Sequence, residues 1–445
     1  MNKDWLNIQS QKYPDKIFLR HKKNEVSFKD FNDIVYDKAL SLVDFGIKNN
    51  NKVVLLLSNP IDFIEAYLAC YKIGAITIIF NHTWKDFEIN QALEIVKPDY
   101  IVCSWNNQNV FKKQSIPKVL IEELSKSYGS CYSSNISNEL CGNDIQSILF
   151  TSGTKGVPKP VCLTYDNFYK SSLKWKDKIN LGSSDNYILA LPLFHIGGLA
   201  IIMRSLHIGF SVDIIEDLES ELNVNNNSSI ISLVPTMLKK IINNKVSIEN
   251  LKKLKCIILS GSNIQNELLE SSEKLNLNIF ISYGMTESCS SVCGFWPFKE
   301  KPFIGSVGQP FNGVDIYAEN NKIIIKSDTI MHSYYGKSPH KGILKTEDLG
   351  YVENGYTYIN GRNDNILISG GENIDQAEVV NAIYSIGDFN QVIPYKKNDP
   401  YWGEVSGVKI ISNKKVDANY IKQKLNDIIS KHKIPKEIII LTNEE

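Results

Sequence analysis

Short apolar bursts rich in β-branched residues recur along the chain, at Lys52 to Leu57, Ala75 to Phe80, Tyr100 to Cys103, Tyr187 to Ala190 and Cys256 to Leu259. Between them lie stretches such as Phe28 to Leu42 and Ile61 to Ile73, whose apolar positions recur at helical spacing. Strands alternating with helices predict an α/β fold with mostly parallel sheets covered on both faces. In such sheets ligands sit where loops leave the C-terminal ends of the strands. From Gly305 onward the pattern shortens into strands punctuated by Gly and Asn, with turn signals at Glu319-Asn320-Asn321 and Glu353-Asn354-Gly355, which predicts a small β-rich unit. A second change comes near Gly361 to Asn365. Beyond it a strand at Ile366-Leu367-Ile368 leads through Ser369-Gly370-Gly371 to a helix from about Asp375, and another helix covers Asn419 to Ser430. Two domains are therefore expected, a large N-terminal one over 1–364 and a small mobile α+β one over 365–445, with a hinge at about Asn365. Asn225 to Ser229 reads as a surface turn.

Composition narrows the function without choosing it. The 445 residues are 43% hydrophobic and 22% charged, ordinary for a soluble multidomain protein. With 49 basic against 49 acidic residues there is no global charge excess to bind nucleic acid, so any anion site must be local. The eight cysteines are scattered and form no C-x-x-C pair, which predicts reduced, mostly buried thiols. No run is long enough to cross a bilayer and the N-terminus lacks a signal-like apolar stretch, so a cytoplasmic location is expected.

The strongest local signal is Leu149-Phe150-Thr151-Ser152-Gly153-Thr154-Lys155-Gly156-Val157-Pro158-Lys159-Pro160. Glycines, hydroxyls and lysines directly after an apolar strand suit phosphate oxygens, although the Walker A spacing is absent. This segment resembles the phosphate loop of the adenylate-forming superfamily of acyl-CoA synthetases, carrier-loading adenylation domains and luciferases. Further matches follow in the family's order: Leu191-Pro192-Leu193-Phe194-His195-Ile196-Gly197-Gly198-Leu199, Ser282-Tyr283-Gly284-Met285-Thr286-Glu287, Thr346-Glu347-Asp348-Leu349-Gly350, Gly361-Arg362, Ile368-Ser369-Gly370-Gly371-Glu372-Asn373-Ile374 and Trp402-Gly403-Glu404-Val405.

The resemblance implies ATP, Mg²⁺ and coenzyme A as reactants. Thr151, Ser152, Gly153, Thr154 and Lys159 would hold the β- and γ-phosphates, Glu287 would ligate Mg²⁺, and Thr286 would reach the α-phosphate. Tyr283 would stack on adenine against Gly261-Ser262, and Asp348 would take the ribose hydroxyls with Arg362 nearby. Gly370 and Gly371 would help form the thiol tunnel, while His195 and Gly198 would flank the acyl pocket. In this chemistry a substrate carboxylate attacks the α-phosphorus and a thiol then displaces AMP, so catalysis is mainly positioning and charge stabilisation.

Arg204 interrupts the apolar run Gly197 to Leu206, where a charge is costly unless it is paired, borders a cavity or snorkels to the surface. The F-H-I-x-G-L-x-x-x-M-R arrangement, Thr164-Tyr165 and the compact length resemble the o-succinylbenzoate–CoA ligase family of menaquinone biosynthesis, which would make Arg204 the receiver of a second substrate carboxylate. Loading of a carrier protein, or adenylate binding without turnover, are the alternatives. A homo-oligomer is compatible with either. Lys155, Pro160, Gly197, Glu347 and Asn365 depart from the pattern, and the family's final glycine-lysine segment is expected beyond Lys433-Ile434-Pro435-Lys436, where the sequence ends at Glu445.

Overall fold

Consecutive residues of the strand Lys52–Leu56 serve two different cores: Val53 and Leu55 face one apolar cluster, Val54 and Leu56 another. Period-two alternation of this kind, with both sets apolar, is what a strand buried on both faces requires. The computed structural model describes residues 4–112, 114–124, 140–151, 158–222, 228–242, 244–262, 264, 266–362, 366–387, 389–412 and 416–441.

Two large sheets share a central helical layer. In the first, Ile17–His21, Ser211–Ile214, Asn186–Leu189, Ile230–Leu233, Cys256–Leu259 and Ile279–Met285 run parallel in that spatial order, with antiparallel strands at both edges. In the second, Lys118–Leu120, Tyr100–Cys103, Lys52–Leu56, Ile76–Ile79 and Ile145–Thr151 are parallel, followed by antiparallel Lys159–Thr164 and Ser333–Tyr334. The helices Phe28–Asp44, Pro60–Ile73, Tyr165–Ile179 and Ile196–Ile208 fill the space between the sheets and form the largest apolar cluster. Helix Asp86–Val96 covers the outer face of the second sheet, and helices Pro235–Ile241 and Asn266–Lys274 that of the first.

The predicted β-rich unit is a four-stranded antiparallel sheet of Val314–Glu319, Lys322–Ser327, Ile343–Glu353 and Tyr356–Arg362. Both of its predicted turns are two-residue hairpins with left-handed central residues, φ 49° and 61° at Asn320-Asn321 and 51° and 80° at Asn354-Gly355. That geometry selects Asn and Gly. From Ile366 the chain builds another sheet with its own apolar cluster around Leu367, Val379, Val408 and Leu425. The last predicted helix is shorter than expected, Ala418–Ile428, because Ser430 leaves the helix to bond Glu88 in the other unit. Of the seven cysteines described, all are free and only Cys141 is exposed.

Candidate active site

A cleft of about 1220 Å³ opens where the C-terminal ends of the parallel strands meet the C-terminal sheet. The strand Ile145–Thr151 delivers Thr151 to its floor, and the antiparallel return strand places Lys159 directly opposite, with the Thr151 hydroxyl 3.5 Å from the Lys159 carbonyl oxygen. Ser152, Gly153 and Thr154, with Lys155, lie outside the described residues. Lys159 Nζ stands 5.9 Å from the centre of the Tyr334 ring, and the Tyr334 hydroxyl donates to Glu287 Oε1 at 3.0 Å. Burial, reinforced by the Glu287 carboxylate, raises the Tyr334 pKa and keeps the phenol a donor. No motif or spacing singles out Tyr334; only the pairing of Ser333–Tyr334 with Lys159–Thr164 brings it here.

Thr286 and Glu287 occupy a single 3-10 turn after the strand Ile279–Met285. The preceding glycine is dictated by packing: a Cβ on Gly284 would lie 2.2 Å from the Ser290 carbonyl oxygen. Across that close approach Cys289 and Ser290 both adopt left-handed backbone, φ 53° and 94°. This uncommon conformation for side-chain-bearing residues is pinned by the Ser171 hydroxyl on the Cys289 carbonyl and the Ser288 hydroxyl on the Ser290 carbonyl, each at 2.7 Å.

Tyr283, Asp348 and Arg362 converge. Asp348 faces Arg362 across an antiparallel pair, accepting from Arg362 Nη1 at 2.7 Å on one oxygen and from the Tyr283 hydroxyl at 2.5 Å on the other. Burial and the Asp348 carboxylate raise the Tyr283 pKa, so the hydroxyl stays protonated. Gly261 and Ser262, after the strand Cys256–Leu259, line the same region.

His195 caps the helix Ile196–Ile208 without a capping side-chain bond, and its Nε2 instead meets Glu372 Oε1 at 2.9 Å. Burial works against the Glu372 charge, but His195, His432 and Lys433 outweigh it and hold the carboxyl at about 2. Gly198 lets the helix start against the backbone of Leu191 and Pro192, whose carbonyl oxygens a Cβ would meet at 2.7 and 2.3 Å. Gly370 and Gly371 form a two-residue hairpin with φ 59° and 90°, and a Cβ on Gly371 would stand 2.7 Å from Val234 Cγ1. The C-terminal sheet thus inserts this turn into the cleft.

Arg204 does not snorkel. It is 3% exposed, its guanidinium lies 4.8 Å from the centre of the Trp175 ring, and Nη2 reaches Ser290 Oγ at 3.5 Å. Ser290 lines the cleft and Arg204 lies behind it. Among the described residues no carboxylate lies within ion-pair distance of Arg204, Nε has no partner, and burial lowers the guanidinium pKa.

The AMP-binding enzyme family matches residues 6–335. The 2-succinylbenzoate–CoA ligase of Oceanobacillus iheyensis is 27% identical over 466 residues, covering 98% of this chain and 95% of that protein. A double mutant of o-succinylbenzoate CoA synthetase from Bacillus subtilis, bound with its product analogue OSB-NCoA, is 26% identical and superposes with a TM-score of 0.92 over 99% of this chain and 95% of that one. The Bacillus subtilis synthetase in complex with ATP and magnesium ion is also 26% identical, over 99% of this chain and 96% of that one, but with a TM-score of 0.78. At equal identity and nearly equal coverage, the difference is one of arrangement, and this chain has that of the product-analogue complex. With most of its length matched, the chain belongs to the AMP-binding enzyme family.

Proposed function

We propose that the protein is an ATP-dependent, AMP-forming ligase that activates o-succinylbenzoate as its acyl-adenylate and transfers the acyl group to coenzyme A. The observation that carries this reading is the convergence in one cleft of Lys159, the Thr286-Glu287 turn, the Asp348–Arg362 pair and the Gly370-Gly371 turn, with a buried arginine behind Ser290 that has no carboxylate partner among the described residues. Thr151 and Lys159, with Ser152, Gly153 and Thr154, would hold the β- and γ-phosphates. Thr286 would reach the α-phosphate, and Tyr283, Gly261 and Ser262 would line the adenine site. Asp348, steadied by Arg362 and Tyr283, would exchange one of these bonds for the ribose hydroxyls.

Mg²⁺ fits the donor set, since it is commonly held by one or two carboxylates together with substrate phosphates, and Glu287 supplies one carboxylate at the cleft wall. Bound there, it would neutralise polyphosphate charge. Arg204 donates to Ser290 Oγ, which leaves the serine hydroxyl proton free to meet a second substrate carboxylate. In the first half-reaction the aliphatic or aryl carboxylate oxygen attacks the α-phosphorus and pyrophosphate leaves. In the second, the thiol sulfur attacks the acyl carbon, releasing AMP and a proton. His195 and Glu372 would close the acyl pocket during this second step. The test is to supply Mg²⁺, ATP, coenzyme A and o-succinylbenzoate and to follow AMP, pyrophosphate and the thioester by mass. ADP and phosphate as products, or no thioester, would refute the assignment.

A further inference from the structure

The cleft is closed by a buried charge cluster that joins distant parts of the sequence. Glu88, on the helix Asp86–Val96, is 2% exposed. Its Oε2 accepts from its own helix start, the Lys85 backbone N–H at 2.9 Å, and from the Ser430 hydroxyl at 2.7 Å. Its Oε1 accepts from Lys433 Nζ at 2.5 Å, and the same ammonium donates to Glu378 Oε1 at 2.7 Å. Burial disfavours the Lys433 charge, but Glu378 and Glu88 outweigh it and raise the pKa above its ordinary value.

The three charges are not equivalent. Glu378, Ser430 and Lys433 all belong to the unit that begins at Ile366 and stay together however that unit sits, whereas Glu88 belongs to the other. Undocking would therefore strip Glu88 of an ammonium and a hydroxyl while Lys433 kept Glu378. The arrangement in which these bonds form is that of the product-analogue complex rather than the ATP complex of the Bacillus subtilis synthetase. Breaking a buried, hydrogen-bonded charge pair is costly because the remaining charge is left uncompensated.

We propose that Glu88 is a positioning residue for thioester formation: with Ser430 and Lys433 it latches the C-terminal unit in the arrangement that inserts the Gly370-Gly371 turn into the cleft. The role rests on the ligase reading for its chemical consequence, but the latch itself is a matter of geometry. Glu88→Gln keeps an acceptor for the helix start, since Gln serves a capping box as Glu does, and removes the charge.

The experiment has two arms on the full chain. Spin labels are placed at Glu94→Cys and Tyr420→Cys, both exposed, in a background with Cys131→Ser and Cys141→Ser, and the distance distribution is measured with and without Glu88→Gln. The unlabelled variants are assayed separately for pyrophosphate release without coenzyme A and for thioester formation from supplied acyl-adenylate. The latch predicts a shift of the distribution toward longer distances and thioester formation slowed by at least about tenfold. Pyrophosphate release should stay within about twofold, and Ser430→Ala should show the same pattern more weakly. Unchanged distances in Glu88→Gln and Lys433→Met, or both half-reactions falling together, would overturn the proposal. If the wild type forms no o-succinylbenzoyl thioester the functional reading fails, and the distances still decide the latch.

Discussion

Replacing Arg204 by methionine should uncouple stability from activity. The guanidinium is 3% exposed, faces no carboxylate among the described residues and leaves Nε without a partner. Among the described residues its compensation is the Trp175 face at 4.8 Å, a long 3.5 Å contact to Ser290 and the Tyr187 hydroxyl beside it. A desolvated cation–π contact is worth about 2 kcal/mol and a hydrogen bond from a charged donor about 1.5–3, against a burial cost of several kcal/mol per ion. Methionine follows the same unbranched path with no charge to desolvate, so the fold should be unchanged or stabilised by up to about 4 kcal/mol. A substrate carboxylate held by the Ser290 hydroxyl would lose the charge behind that hydroxyl entirely. The expected cost is about 2–5 kcal/mol in kcat/KM, or roughly 30-fold to several thousand-fold. The assay compares urea unfolding with kcat/KM for o-succinylbenzoate and for an analogue whose second carboxylate is esterified. Equal losses for the diacid and the ester, or a destabilisation beyond about 2 kcal/mol, would show that Arg204 serves the fold and not the substrate.

Glu287→Gln preserves the acceptor for the Tyr334 hydroxyl, so unfolding should be little changed while Mg²⁺-dependent pyrophosphate release falls on the order of 10²-fold; titration with Mg²⁺ and urea separates the two. Gly371→Ala puts a methyl 2.7 Å from Val234 Cγ1 at a φ of 90°, which should slow the thioester step by about fivefold or more. Val234→Ala in the same chain should recover part of that loss, because it relieves the clash but not the backbone strain; no recovery would mean the turn does not dock as described. The half-buried His207 has its Nδ1 2.8 Å from Ser172 Oγ, and desolvation of the ring, aided by Arg204, holds its pKa at about 3. A histidine pKa depressed on folding contributes stability that is whole above about pH 6.5 and is lost as pH falls toward about 3, with about 2 kcal/mol gone by pH 5. His207→Gln should flatten urea unfolding between pH 7 and 5, and an unchanged slope would refute the assignment.

Local structure was legible wherever a residue's own stereochemistry decided it. Asn320-Asn321 and Asn354-Gly355 announce left-handed turns. The motifs also located the cleft, since Lys159, Glu287, Asp348 and Arg362 line it together. The sequence could say that an arginine in an apolar helix needs compensation, but not that the compensation would be Trp175 and Ser290, which only the packing of three elements supplies. Glu88 was illegible for a sharper reason. A glutamate in the first turn of an amphipathic helix is the ordinary pattern of a solvated cap, and the lysine that buries it lies 345 residues away. Tyr334 and the strained Ser290 were hidden likewise, because edge pairing and positive φ at a serine leave no mark in composition or periodicity.

The buried cysteines bear on the company this protein keeps. A catalyst of thiol chemistry works amid free and oxidised forms of its own co-substrate, either of which can capture a reactive protein sulfur through thiolate exchange. Burial pushes Cys70 and Cys293 up to about 12 and Cys103 and Cys162 up to about 11, and raises Cys256 and Cys289 as well. At neutral pH their thiolate fraction is on the order of 10⁻⁴ or less, and all six are buried. Oxidised co-substrate therefore has only Cys141 to attack among the described residues of the native fold. The same six sulfurs become available once the chain opens, so the rise in titratable thiol from its native value marks the loss of the core itself.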